Sequence, residues 1–392
     1  MLKRLRVGLL WHSLRAGNLG VGALTLGNIA IIREVAASAG VDVEFVVLSM
    51  RESSTDPIAE GIEQYEIDTR RLFSPDGFRA KVDTLDCVID IGAGDSFADI
   101  YGAKRFAFLY LTKKFAVDRG KPLILAPQTI GPFTRQPYRW LASRIMRRAE
   151  CVVARDEQSL AAIEELAPSA RSALAVDVAF KLPFDDQSSD CTGRKYRIGI
   201  NASGLLCRQA ESGENRFGLS FDYLALHRRL IDHFSSRDDC EVFLVTHANS
   251  AGDTGDDDGT RADRLSREFP AVTRVPDFAG PSQAKSFISS LDFLVAGRMH
   301  ACIAAFSSET PVIPISYSRK FSGLFGLLEY PWLTPVTGWD EDEAFNYIVK
   351  SFEELAAMKE AEGAALQRVD EMLAAYRDTL SSLFQRLPGQ AG

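Results

Sequence analysis

Residues 291–326 read LDFLVAGRMHACIAAFSSETPVIPISYSRKFSGLFG, two apolar runs, each followed by a polar turn and a packed helix. The run 291–296 predicts a buried strand; Gly297 breaks it, and Arg298, Met299 and His300 lead into a helix over 301–306. Residues 311–315 predict a second strand, after which Arg319 and Lys320 open another helix. Strands that are apolar throughout and alternate with helices belong to a parallel sheet covered on both faces. In such sheets ligands sit beyond the strands' carboxyl ends. Helix N-termini there attract anions through free N–H groups and the macrodipole. Two cationic turns at successive strand ends therefore predict a site for a phosphorylated or carboxylated small molecule.

The same alternation runs through most of the chain. Residues 7–11 predict the first strand, followed by a polar, Gly-containing turn with Asn18 and a helix over 23–39. That turn lacks the G-x-G-x-x-G spacing of a dinucleotide site. Asn18 is read either as a ligand contact or as the cap of the next helix. Strands follow at 43–48, 87–91, 123–126, 152–154 and 174–177, while 51–80 shows no usable pattern. Their ends carry Gly92-Ala93-Gly94-Asp95, then Pro127-Gln128-Thr129, then Arg155-Asp156. Asp95 is a candidate general base or the N-cap of a helix over 100–115, and Arg155 a candidate anion ligand or the partner of Asp156. The polar stretch 184–195 reads as a linker. Beyond it the alternation restarts, with strands 197–201 and 241–246 ending in Asn201 and His247, and a polar loop over 202–218. The expected organisation is an N-terminal domain over 1–183, the linker, a C-terminal domain over 196–338 and a helical tail over 339–392.

Composition narrows the function. The net charge of −8 gives no basic face for nucleic acid. Six scattered cysteines without a CxxC pair argue against a disulfide framework or a zinc site. The acidic stretch 252–258 lacks EF-hand spacing and reads as a solvated loop with a helix cap. No secretory signal and no membrane span are read from the chain. The expected location is cytoplasmic, with peripheral attachment to the inner face of the membrane left open. The arginines of the predicted helix 138–149 read as a solvated face or as a patch for an anionic lipid-linked substrate.

Gly297-Arg298-Met299-His300, its small-residue helix and Pro311-Val312-Ile313-Pro314-Ile315 together resemble the polysaccharide pyruvyl transferases, from about residue 6 to about residue 330. The turns at Asn18, Asp95, Gln128 and Arg155 are similar to that family's as well. The resemblance implies two Rossmann-like α/β domains facing a cleft, as in GT-B glycosyltransferases. It implies phosphoenolpyruvate as donor substrate, a lipid-linked or nucleotide-linked sugar as acceptor, and no cofactor or metal. In that scheme His300 is the acid and Asp95 the base. Arg298, Arg155 and Lys320 hold the donor, and His247, Asn18, Asn201 and Gln128 complete the binding set. The alternatives are a GT-B glycosyltransferase that uses a nucleotide sugar and a glycan-binding module without turnover.

Overall fold

The computed structural model describes residues 3–15, 17–50, 56–92, 96–189, 194–248 and 257–388. The chain divides into two compact units, one of Met1–Ala16, Leu24–Lys181 and Val369–Gly392, the other of Gly17–Ala23 and Leu182–Arg368.

The first unit takes β1 (Lys3–Leu10), most of α1 (Leu19–Ser38), β2 (Val41–Met50), β3 (Glu63–Ile67), α2 (Thr69–Phe73), α3 (Phe78–Asp83) and β4 (Cys87–Asp90). It continues with β5 (Ser96–Phe97), α4 (Ala103–Asp118), β6 (Leu123–Ile130), α5 (Tyr138–Met146), β7 (Cys151–Ala154), α6 (Glu157–Leu166) and β8 (Ser172–Leu174). Its strands pair in parallel in the order β3-β2-β1-β4-β6-β7-β8, with β5 beside β6. The four residues of β4 and of β7 are all buried, so the sequence shows apolar runs there instead of alternation. Residues 51–80 resisted assignment because β3 is an edge strand with a single buried residue, and α2 and α3 span only five and six residues. Pro127, which cannot donate to a ladder, suggested that β6 ends early. The strand instead continues to Ile130, with its register against β7 shifting between Leu125 and Gln128.

The second unit holds β9 (Tyr196–Asn201), α7 (Gly204–Ser212), α8 (Tyr223–Ser235), β10 (Cys240–Leu244), α9 (Asp258–Glu268), β11 (Thr273–Arg274) and α10 (Pro281–Ser289). It continues with β12 (Phe293–Ala296), α11 (Met299–Phe306), β13 (Val312–Ser316), α12 (Arg319–Leu327), β14 (Thr334–Pro335), α13 (Glu341–Phe352) and the start of α14 (Leu355–Arg386). The order is β11-β10-β9-β12-β13-β14, a doubly wound sheet whose direction of growth reverses between β9 and β12. The polar loop expected over 202–218 contains α7. Only Leu206, Cys207 and two smaller or polar positions of that helix are buried, too few for a readable period, and Gly213 ends it at φ +71°.

Helix α1 is the one helix among the described residues long and apolar enough to cross a membrane, a feature the sequence reading passed over. Most of that apolar surface is buried within the protein. Gly27 shows how closely it packs, since a Cβ there would lie 2.2 Å from the carbonyl oxygen of Val178.

The far end of α14 completes the first unit. Val369, Leu373, Tyr376, Leu380 and Leu383 form a buried stripe at helical spacing. Each fully buried leucine contributes about 1.5–3 kcal/mol. Lys3 Nζ donates to the Phe384 carbonyl at 2.7 Å, joining the first strand to the last helix. Beneath the stripe lies a closed polar chain. Tyr376 donates to Asn28 Oδ1 at 2.7 Å, Asn28 Nδ2 lies 2.9 Å from His12 Nε2, and His12 Nδ1 lies 3.1 Å from the Leu10 carbonyl. Only the neutral ring with its proton on Nδ1 satisfies both contacts. Burial agrees, holding the His12 pKa down at about 3.

Replacing Tyr376 by Phe leaves Asn28 Oδ1 buried without its donor. The expected loss is about 1–3 kcal/mol of unfolding free energy, read from urea denaturation. A change within a few tenths of a kcal/mol would mean that the polar chain does not fasten α14.

Candidate active site

The reversal between β9 and β12 places the end of β9 beside the turn that follows β12. Ala296 pairs with Asn201, and Gly297 N–H donates to the Asn201 carbonyl at 3.2 Å. Gly297 has no room for a side chain, because a Cβ would lie 2.2 Å from the Tyr223 hydroxyl. The turn is built around Asp258, the first residue of α9, which is 1% exposed. Its Oδ1 accepts from Gly204 N–H at 2.9 Å and from Arg298 Nη2 at 2.7 Å and Nε at 3.0 Å. Its Oδ2 accepts from Asn201 Nδ2 at 3.1 Å and from the N–H groups of His247 and Ala248 at 3.0 and 3.1 Å. One carboxylate thus joins the ends of β9 and β10 to the first turns of α7, α9 and α11. A buried charge is tolerated when it is paired and hydrogen-bonded to this degree.

This geometry revises two expectations. The acidic stretch was read as solvated; Asp257 is indeed the cap of α9, accepting from Gly259 and Thr260 N–H, but Asp258 is buried structure. From the sequence, Arg298 is expected to hold the donor. It is 8% exposed, with its Nε and Nη2 edge on Asp258, so its charge is met within the protein. Asn201 is likewise fully buried. Its Nδ2 donates to the Val245 carbonyl as well as to Asp258, and its Oδ1 accepts from Arg298 N–H. Both residues brace the turn after β12.

His300 stands one residue into α11 and is half-buried. Its ring lies against Gly20 on the first turn of α1, where a Cβ would come 2.3 Å from Nδ1. Gly20 N–H donates to Asn18 Oδ1 at 2.9 Å, so exposed Asn18 caps α1, and its backbone bridges to Ala248. His247 lies at the end of β10 with its carbonyl accepting from Leu19 N–H. Burial, reinforced by the charge of neighbouring His300, pushes its pKa down to about 3, so His247 stays neutral at pH 7. The second unit therefore brings together Asn18, Asn201, His247, Arg298 and His300. Lys320 is half-buried on the first turn of α12, whose N-cap Ser318 makes no side-chain cap bond.

Arg155 and Gln128 belong to the first unit. Arg155 is 4% exposed and donates through Nη1 to Asp177 at 2.8 Å and through Nε to Thr129 Oγ1 at 2.9 Å. Its partner is Asp177, not Asp156, which instead caps α6. Gln128 is buried and donates to both the carbonyl and the side chain of Asp90, which also pairs with buried Lys113 at 3.0 Å. Gly92, at φ +64°, makes space for that glutamine. Asp95 lies outside the described residues; the N-cap of α4 is Gly102. Among the described residues no group of His, Cys, Asp or Glu is arranged to hold a metal. Burial pushes the thiols of Cys87 and Cys207 up to about 12, which makes them poor nucleophiles.

Asp258, Gly20 and Tyr223 escaped the sequence reading. A carboxylate at a helix start shortly after a strand-end histidine was the available signal for Asp258. The acidic residues around it hid that signal.

Arg298→Ala strands a buried carboxylate, and the expected cost is about 3–5 kcal/mol of stability. A residue that served only to bind ligand would leave the unfolding midpoint in place. His227, whose pKa burial holds at about 4, and His247 refuse protons that the unfolded chain accepts below about pH 6.5. Stability is therefore greatest above that pH and is lost as pH falls toward the native values. The loss is about 2 kcal/mol per histidine at pH 5, measurable as a falling urea midpoint from pH 7 to 5.

A family model described as polysaccharide pyruvyl transferase matches residues 26–319, three quarters of the chain. The amylovoran biosynthesis protein AmsJ of Erwinia amylovora is 23% identical over 270 residues, covering 65% of this chain and 62% of that protein. The chain thus spans about three fifths of that curated relative's length. Among solved structures, HepE of Anabaena in complex with UDP and glucose superposes with a TM-score of 0.58 at 13% identity, covering 98% of this chain and all of that one. Sucrose-phosphate synthase of Thermosynechococcus elongatus gives 0.57 at 12%, with 98% and 99% covered. MnaA of S. aureus with UDP gives 0.55 at 12%, with both chains fully covered. At these identities the likeness is one of fold, the pair of parallel α/β units of GT-B glycosyltransferases and related epimerases. With its Arg-Met-His turn in place at the end of β12, the chain belongs to the polysaccharide pyruvyl transferase family.

Proposed function

We propose that the protein transfers the three-carbon unit of phosphoenolpyruvate to two hydroxyls of a sugar, forming a pyruvate ketal and releasing phosphate, in the synthesis of a bacterial exopolysaccharide. The observation that carries this reading is the position of His300. It is a half-buried imidazole on the first turn of α11, at the point where the sheet order reverses. The N-cap side chain of that helix, Arg298, is directed to Asp258 and makes no cap bond to the helix. A helix start of this kind suits the carboxylate or phosphate of the donor. Lys320, on the first turn of α12 after the next strand, adds positive charge nearby in the fold.

The chemistry needs a proton delivered to the donor's methylene carbon, which becomes the ketal methyl. The adjoining carbon then takes the first hydroxyl, the carbon–oxygen bond to phosphate breaks, and the second hydroxyl closes the ring. Two hydroxyl protons are released; one replaces the proton given to the methylene and the other leaves with phosphate. An imidazole titrates close enough to neutrality to give and regain that proton. His300 takes this role, while His247, neutral at pH 7, orients by hydrogen bonding. Arg298 acts as a positioning residue through Asp258. Asp95 remains the base candidate on sequence grounds, and Arg155 and Gln128 keep their internal partners in this reading. The acceptor is a lipid-linked or nucleotide-linked sugar, and the reaction takes place in the cytoplasm, where the donor is made.

The test follows phosphate release and the methyl singlet of the ketal by NMR, with phosphoenolpyruvate and a panel of lipid-linked and nucleotide-linked sugars. Phosphate and ketal are expected in equal amounts. His300→Ala should lower kcat about 100- to 10,000-fold with an unchanged unfolding midpoint. Sugar transfer from a nucleotide sugar, with none of the ketal formed, would replace this reading by a glycosyltransferase.

A further inference from the structure

We propose that the first unit carries a docking surface for an anionic phospholipid bilayer, formed by the loop before α4 and the outer face of α5. Among the described residues, three of the five large exposed hydrophobic side chains lie there: Ile100 at 55%, Tyr101 at 40% and Trp140 at 52%. The two segments are pinned together by Asp99. Its Oδ2 accepts from Thr134 N–H at 2.7 Å and Arg135 N–H at 3.2 Å, four and three residues before α5 begins. Phe106 supports both segments from beneath, packing on Phe97 and Phe133 and on Tyr138 with centroids 4.6 Å apart. The two segments are therefore backed by a packed aromatic layer.

The charge around them decides the occupant. Residues 99–148 contain eleven Lys or Arg and two Asp or Glu, in a chain whose net charge is −8; Lys113 is buried against Asp90, and Arg139 and Arg148 pair with Glu165 and Asp118, while Arg135, Arg144 and Arg147 stand exposed. On α5 and its C-cap the exposed positions Trp140, Arg144 and Arg147 recur at helical spacing, and the Arg144 guanidinium lies over the Trp140 ring at 5.5 Å. The opposite face, with Ala142, Ile145 and Met146, is buried. Lys104 stands exposed at the start of α4. An indole on one segment and a phenol and an aliphatic side chain on the other, with arginines on α5, match the headgroup zone of a bilayer, where aromatics sit at the interface and cations meet phosphate.

Co-sedimentation of the full chain with phosphatidylglycerol/phosphatidylcholine vesicles tests this. Binding is expected to the mixed vesicles and not to phosphatidylcholine alone, and to fall steeply between about 0.05 and 0.5 M salt. Arg144→Gln with Arg147→Gln should weaken partitioning about 25-fold, near fivefold for each charge removed. Lipids brominated near the headgroup should quench the wild type's tryptophan emission more than that of Trp140→Phe. That comparison and the salt titration keep the test open if the arginine variant fails to fold. Equal binding to both vesicle types, or binding that the arginine variant retains in full, would overturn the proposal. So would concentration-dependent self-association that Trp140→Ala abolishes in the absence of lipid binding, which would assign the surface to a second copy of the chain.

Discussion

The second unit depends on a buried ion pair. A carboxylate away from water is costly unless its oxygens are fully engaged, and Asp258 engages both, with Arg298 and with donors from three other segments. Those donors come from strand ends and helix starts, the places where a doubly wound sheet leaves backbone groups without ladder partners. The same bonds that satisfy the backbone therefore also set the position of the Arg-Met-His turn. His300 owes its place to this scaffold and to the glycine at position 20 against which its ring lies.

The division of labour within the turn follows from size and charge. Gly297 gives way to the Tyr223 hydroxyl, Arg298 turns to Asp258, and His300 remains half-buried beside buried His247. Three residues of one turn are thus placed in three different ways. A motif read as one cationic patch is physically a space-filler, a brace and a half-buried imidazole. His247 stays neutral there because burial holds its pKa down at about 3.

Much of the fold was legible because strands buried on both faces leave continuous apolar runs, as at β4, β7 and β12. Edge strand β3 and helix α7 were not, because each buries too little to impose a period. The positions of His247, His300 and Asn201 at strand ends were legible for the same reason as the strands. What the sequence concealed was partner choice. Arg155 takes Asp177 over its neighbour Asp156, and Arg298 takes an aspartate forty residues away, pairings that only the register of strands can decide. A cation at a strand end announces an anion without saying whether it belongs to a ligand or to the protein.

The central claim is that a scaffold built on Asp258 holds His300 against the donor. It is tested most directly by NMR of the full chain with ring-labelled histidine, titrated with phosphoenolpyruvate. The account predicts that the ring resonances of His300, identified by their loss in His300→Gln, shift saturably with the donor while those of buried His12 stay fixed. Turnover of phosphoenolpyruvate with the His300 resonances unmoved would contradict it.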